Sequence, residues 1–166
     1  MIISLIAAVS ENNVIGKNRG MPWNLPEDLK YFFRITKAHH VIMGRRTFHE
    51  FGVSKPLPDR INLIVSHQTD LKLHGTIVMN SIDQALEYSR IQGENEVFII
   101  GGGTIYKQTI PFANKLYITR IHTIIQNGDT FFPEIEFNSW DLISEDRRKK
   151  DFENQYDFSF QVYKRK

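Results

Sequence analysis

The stretch Glu96-Val97-Phe98-Ile99-Ile100-Gly101-Gly102-Gly103-Thr104-Ile105-Tyr106 runs from an apolar segment straight into three glycines. Four consecutive apolar residues after a single charge read as a strand buried on both faces. The glycines then turn the chain into a helix, and they let backbone N–H groups approach an anion with no side chain in the way. The spacing is not Gly-x-Gly-x-x-Gly, because position 106 is Tyr. A glycine-rich turn of this kind is weak evidence when it stands alone.

The neighbouring segments repeat the pattern. Residues 2–9 read as a central strand, and His40-Val41-Ile42-Met43 reads as a short one ending in Gly44. Arg45-Arg46-Thr47-Phe48-His49-Glu50-Phe51 follows as a short helix closed by Gly52. Pro56-Leu57-Pro58-Asp59-Arg60 is a rigid turn before the strand 61–65, which ends in Ser66-His67-Gln68. A strand near 76–79 precedes a helix with Ser81 as N-cap and Gln84 three residues on, a capping box. Its apolar stripe is Ile82, Ala85, Leu86 and Tyr88-Ser89, and Gly93 ends it. Strands 114–122, 140–148 and 155–164 close the chain. In the last of these Tyr156, Phe158, Phe160 and Val162 alternate with Asp157, Ser159 and Gln161. Arg147-Arg148-Lys149-Lys150 reads as a solvated hairpin edge.

Strands separated by helices predict an α/β fold. The expected architecture is a central, mainly parallel twisted sheet of about eight strands, with an antiparallel C-terminal hairpin and about four flanking helices. One domain is expected over residues 1–166. In such sheets ligands bind beyond the carboxyl ends of the strands. Three of those ends carry anion-ready groups: Arg45-Arg46-Thr47, Ser66-His67 and the glycine run. Together they suit a ligand with several phosphates, such as a 2′-phosphorylated dinucleotide.

Between the first strand and the first helix lies a long loop, 10–24, with an apolar pair at Val14-Ile15 and a basic run, Lys17-Asn18-Arg19-Gly20. A loop of this length in a compact domain reads as a lid or as mobile. The helix opens at Pro26, where a missing N–H costs nothing, and runs to about Lys37. Counting from Leu25, its apolar face collects Asp28, Leu29 and Phe32. Glu27, Lys30, Tyr31 and Arg34 make a solvated face. Asp28 has two readings. Acidic residues are favoured in a first helical turn. Alternatively, a carboxylate facing a pocket needs a donor-rich partner, which a ligand can supply.

Composition narrows the chemistry. Net charge is +2, too small to argue for nucleic acid or an anionic membrane surface. There is no cysteine, which removes disulfides, thiolate nucleophiles and cysteine metal sites and suits a reducing cytoplasm. The six histidines have no metal-ligand spacing. The apolar N-terminus is too short for a membrane span. A monomer is the expected state. From the residues alone the reading stops at an NADP-linked reductase or a non-catalytic nucleotide binder.

Seven stretches in this order resemble bacterial dihydrofolate reductases. They are Ile3 to Ala8, Val14-Ile15-Gly16, Met21-Pro22-Trp23-Asn24-Leu25-Pro26-Glu27-Asp28-Leu29, Val41 to Phe48, Pro56 to Arg60, Ile99 to Tyr106, and Gly128-Asp129-Thr130-Phe131-Phe132-Pro133. The resemblance covers essentially the whole chain. It implies NADPH-dependent reduction of 7,8-dihydrofolate to tetrahydrofolate for one-carbon metabolism, and a site that takes antifolate inhibitors. It implies that Asp28, supported by Thr119, accepts hydrogen bonds from the pterin, and that a water near Met21 and Trp23 relays the proton. Ile6, Ala8, Phe32 and Ile100 would line the pterin and nicotinamide pocket, Leu57 would pack on the benzoyl ring, and Arg60 would hold the glutamate carboxylate. Ala8, Ile15 and Gly16 would meet the nicotinamide. Gly44, Arg45, Arg46, Thr47, Ser66, His67, Gly101, Gly102, Gly103, Thr104, Ile105 and Tyr106 would hold the rest of the cofactor, with a cis peptide at Gly101-Gly102. A same-fold reductase of a flavin-pathway pyrimidine should lack both Asp28 and Arg60. Phe48 stands where many relatives have Trp or Tyr, and Gly52 to Pro56 is slightly longer than in short bacterial members.

Overall fold

The computed structural model describes residues 1–50, 55–68 and 70–166. The expected helix closure at Phe51-Gly52 and the segment from Gly52 to Ser54 lie outside the described residues. The described strands are β1 (Ile2–Ser10), β2 (Val14–Gly16), β3 (His40–Gly44), β4 (Ile61–Val65), β5 (Ile77–Met79), β6 (Glu96–Ile99), β7 (Lys115–Ile121), β8 (Thr130–Phe131), β9 (Trp140–Arg148) and β10 (Phe158–Arg165). The α-helices are α1 (Pro26–Thr36), α2 (Arg45–Glu50), α3 (Ile82–Ile91) and α4 (Gly103–Thr109).

Eight strands form one sheet in the order β5-β4-β3-β6-β1-β7-β10-β9. Pairings from β5 to β7 are parallel, and β10 runs antiparallel to both of its neighbours. This is the expected α/β architecture. Successive residues of a strand face opposite ways, so β1 feeds two apolar layers. Leu5 and Val9 pack with Ile82, Ala85 and Leu86 of α3. Ile6 packs on the other face with Leu25, Tyr31 of α1 and Phe48 of α2. All the parallel strands end on one edge, and the site forms there.

Three local expectations change. First, the loop 10–24 contains β2, which pairs with β8 in a separate ribbon. Three residues are too few to show a period, and the partner lies far along the chain. Second, Tyr31 is buried instead of solvated and stacks on Phe160 with ring centroids 4.1 Å apart. The antiparallel end of the sheet extends beneath that side of α1, which no local helical pattern can reveal. Third, β10 starts at Phe158, and its polar face is not simply solvated. Ser159 is buried beside His122, and a register shift lies between Val162 and Tyr163. A strand flanked on both sides has little free surface, so strict alternation gives way. The α3 cap holds, with the Gln84 N–H donating to Ser81 Oγ at 3.1 Å. The Gln84 side chain reaches the Asn80 N–H, one residue before the cap, at 3.0 Å. Among the described residues no helix is long and apolar enough to cross a membrane.

The β2–β8 ribbon depends on one small residue. A Cβ on Gly128 would lie 2.5 Å from both methyls of Val14, which is fully buried. Gly128→Ala is expected to destabilise the protein by about 1–3 kcal/mol through overpacking. Adding Val14→Ala should recover part of that loss. Denaturant unfolding of both single variants and the double checks this, and strictly additive losses would count against the contact.

Candidate active site

The main cleft opens where the parallel strands end. Ile6, Ala7 and Ala8 of β1 form its floor, and the lid from Ile15 to Met21 covers it. Asp28, Leu29 and Phe32 of α1 form one wall. Thr47 and Glu50 of α2, with Ile100, Gly102 and Tyr106, form the other. Thr119 and Thr130 complete it.

Asp28 reaches this cleft because of how α1 begins. Leu25 is buried and non-helical just before Pro26, which anchors the entry. The first turn has no local side-chain cap. Its Glu27 N–H instead donates to Oδ1 of the buried Asn154, in the β9–β10 connection, at 3.2 Å. Asp28 is therefore released from capping duty and turns inward. It is 8 % exposed, and among the described residues no cation forms an ion pair with it. Burial pushes its carboxyl up to about 6, against a smaller opposing effect of the Thr119 hydroxyl bonded to it. Thr119 sits on β7 opposite Ala8 of β1 and Phe160 of β10, and it is buried. Asp28 thus stands in a first helical turn and also faces a pocket.

The lid is held from below. The Asp129 N–H donates to the Gly16 carbonyl at 3.1 Å, and the Asn18 N–H donates to Asp129 Oδ2 at 2.9 Å. Met21 is exposed on the cleft side. Trp23 is buried, and among the described residues its indole N–H has no hydrogen-bond partner. A buried donor of that kind is expensive to leave unsatisfied and suits a site meant to hold a polar group.

The glycine turn is sterically committed. The Gly101-Gly102 peptide is cis, and Gly101 has φ +115°. A Cβ on Gly103 would lie 3.0 Å from the Phe131 carbonyl oxygen, and one on Gly102 would lie 3.2 Å from Thr47 Oγ1. The Gly44 N–H donates to the Gly101 carbonyl at 2.9 Å, which ties β3 to the turn. Tyr106 donates its hydroxyl to the Ile6 carbonyl at 2.6 Å and joins α4 to β1. Gly102, at the start of α4, offers no side-chain cap. This open, backbone-lined turn beside exposed Arg45 and Arg46 fits a phosphate-bearing dinucleotide.

The cleft gathers Ile6, Ala8, Ile15, Gly16, Met21, Asp28, Phe32, Thr47, Ile100, Gly102, Tyr106 and Thr119 from the expected site. Other expected residues stand outside its lining. Trp23, Gly44, Gly101, Gly103, Thr104 and Ile105 lie in the segments just behind or beside it. Arg45 donates to Gln68 Oε1 at 2.7 Å, and the Gln68 N–H donates to Ser66 Oγ at 3.2 Å, so Gln68 links two of the strand ends. Arg46 and His67 are exposed. Leu57 is buried against the rest of the layer, its N–H held by Asn62 Oδ1 at 2.9 Å. Arg60 borders a separate hollow with Phe33, Arg34, Lys37, Pro58 and Asp59. Its guanidinium donates to Thr36 Oγ1 and to the Pro58 and Phe33 carbonyls.

The cleft also contains Ala7, Lys17, Arg19, Gly20, Leu29, Glu50 and Thr130, which were not expected as site residues. Leu29 could have been found, since it shares the helix face of Asp28. Thr130 could not, because it reaches the cleft through long-range pairing with β2.

A family model described as dihydrofolate reductase matches residues 2–165. The chain is 41% identical to the dihydrofolate reductase of Bacillus subtilis (strain 168) over 165 residues, which is 99% of this chain and 95% of that protein. It is 42% identical to the dihydrofolate reductase of Haemophilus influenzae over 166 residues, spanning 100% of both. A solved dihydrofolate reductase from Enterococcus faecalis, complexed with NADP(H) and RAB-propyl, superposes with TM-score 0.91 at 35% identity, covering 99% of this chain and 96% of that one.

Asp28 weakens the fold that holds it. Its carboxyl titrates near 6 when folded, against 3.8 as a free group, so the folded protein binds the proton more tightly. That contribution is complete below pH ~3.8 and is lost as pH rises through ~6. Asp28→Asn is expected to stabilise the ligand-free protein by up to about 3 kcal/mol at about pH 8. Near pH 4 the effect should be small. Urea unfolding at the two pH values checks both size and sign.

Proposed function

We infer the part each residue plays from one premise: the chain belongs to the dihydrofolate reductase family. It is an oxidoreductase that reduces 7,8-dihydrofolate to 5,6,7,8-tetrahydrofolate with NADPH. When bound, NADPH supplies the hydride for C6 of the pterin, and N5 takes a proton.

The observation that carries the residue assignment is the buried Asp28 beside Thr119, with no cation paired to it among the described residues. A carboxylate in that position is stabilised by donors that arrive with the substrate. The amino group and N3 of the pterin are such donors, and ionised Asp28 accepts from both. Thr119 fixes its orientation. Asp28 does not reach N5 itself. A water under the lid, near Met21 and the unpartnered Trp23 indole N–H, passes the proton on. Ile6, Ala8, Phe32 and Ile100 give the rings an apolar slot that excludes bulk water. Leu57 packs on the benzoyl ring. Arg60 spends three of its five donors on the protein and keeps the remainder for the glutamate carboxylate.

Ala8, Ile15 and Gly16 hold the nicotinamide end of the cofactor. Arg45, Arg46, Thr47, Ser66, His67 and Gly101 to Thr104 hold its phosphates, with Gly44, Ile105 and Tyr106 in the supporting shell. The pterin side of the cleft, with Ile6, Ala8, Asp28, Phe32, Ile100 and Thr119, also accepts antifolate inhibitors. The reading is of one domain over residues 1–166, acting as a monomer in the cytoplasm, with neither nucleic acid nor membrane as a partner. A non-catalytic nucleotide binder would leave Asp28 without a purpose, and a flavin-pathway reductase would leave Arg60 without one.

NADPH oxidation followed with and without dihydrofolate tests the activity, and the absence of substrate-dependent oxidation would refute it. Asp28→Asn is expected to bind NADPH normally yet lose turnover by about 10²-fold or more at neutral pH. Turnover near the wild-type rate at about pH 7 would remove Asp28 from its assigned role.

A further inference from the structure

Two cations line the cleft from the lid with no ion-pair partner among the described residues. Lys17 and Arg19 both border it, and among the described residues neither makes an ion pair. Their backbone is tightly set. Lys17 and Gly20 exchange both N–H···O bonds, at 2.9 and 3.1 Å. Between them Asn18 and Arg19 stand at φ +51° and +63°. A two-residue hairpin tip with both centres left-handed favours Asn and Gly, and an arginine there is uncommon. Asp129, the acid nearest this tip by its contacts, is already engaged. Its carboxyl is held below its ordinary range first by the Asn18 N–H, then by the Thr130 hydroxyl, with Arg46 adding a smaller part. The opposite wall carries Thr47, Gly102 and one acid, Glu50.

A hairpin that holds two unneutralised cations over a cleft, at a conformational cost, is built to meet an anion. We propose that Lys17 and Arg19 bind the diphosphate bridge of the dinucleotide. They complete from the lid the cradle that Thr47 and Gly102 begin on the opposite wall. Lid closure then depends on the cofactor's charge as well as on its nicotinamide ring. This rests on the cleft being the NADPH site.

The test is equilibrium binding of NADP⁺ to the ligand-free enzyme, by calorimetry over a salt series. The proteins are wild type, Lys17→Gln/Arg19→Gln, Lys17→Arg/Arg19→Lys and Glu50→Gln. The double Gln variant is expected to bind about tenfold more weakly at low salt, with a shallower salt dependence. The charge-keeping variant should bind like wild type. NAD⁺ should weaken by the same factor as NADP⁺, and folate alone should be unaffected. Unchanged NADP⁺ affinity in the Gln variant overturns the proposal. So does a loss confined to NADP⁺, which would move the cations to the 2′-phosphate, and so does a weakening of folate in place of NADP⁺. An equal loss in Glu50→Gln would make the cations a latch onto that acid and would also overturn it. If wild type bound no NADP⁺, the cofactor reading itself would fall. If wild type binds and the Gln variant binds equally well, only this proposal falls.

Discussion

A carboxylate set in an apolar wall has to be held there by the rest of the fold, because water would solvate it far better. Asp28 meets that condition through elements far apart in the chain. Pro26 and the buried Leu25 set where α1 begins. Asn154 takes over the capping of its first turn, so the acid is free to face inward. Thr119 reaches it from β7, a strand clamped between β1 and β10. None of these supports supplies a positive charge, and a lysine or arginine beside Asp28 would have made an internal pair in place of a binding site. Under the role proposed for Asp28, the fold tolerates a poorly solvated acid that a ligand completes, an exchange of stability for activity.

The lid and the glycine turn are coupled through the small β2–β8 ribbon. Phe131 of β8 lies under Gly103, Thr130 borders the cleft, and Asp129 grips the lid tip. One short segment therefore touches both the lid and the glycine turn. The Gly44 N–H and the Tyr106 hydroxyl tie that turn to β3 and β1. The glycine turn is thus fixed to the two strands that flank the cleft.

Much of the fold was legible because strand and helix periods are local properties. The buried runs at 2–9, 61–65 and 96–99 and the cap at Ser81 needed only near neighbours to recognise. What escaped was set at long range. Tyr31 looks solvated on a helical wheel and is buried by Phe160. β2 is invisible without β8, and Asn154 carries no mark of a helix cap. In the site, Asp28 stood out because an acid on an apolar face contradicts its surroundings. Leu29 and Thr130 did not, since nothing in their own chemistry separates a cleft wall from a core or a turn. The roles proposed for Thr119 and Arg60 rest on family likeness, not on spacing.

The position of the Asp28 titration has a further consequence. With its carboxyl near 6, the free site is part-protonated across mildly acid conditions, and a ligand that shifts this titration changes how many protons the protein carries. A ligand offering N–H donors draws the carboxyl into its ionised form and releases protons to solvent. A heterocycle more basic than the carboxyl takes up a proton and carries it into the complex. The heat of binding then depends on the ionisation enthalpy of the buffer, so calorimetry in two buffers counts the protons that each ligand brings or displaces. Chemically similar ligands can in this way show opposite trends of affinity with pH while making the same hydrogen bonds.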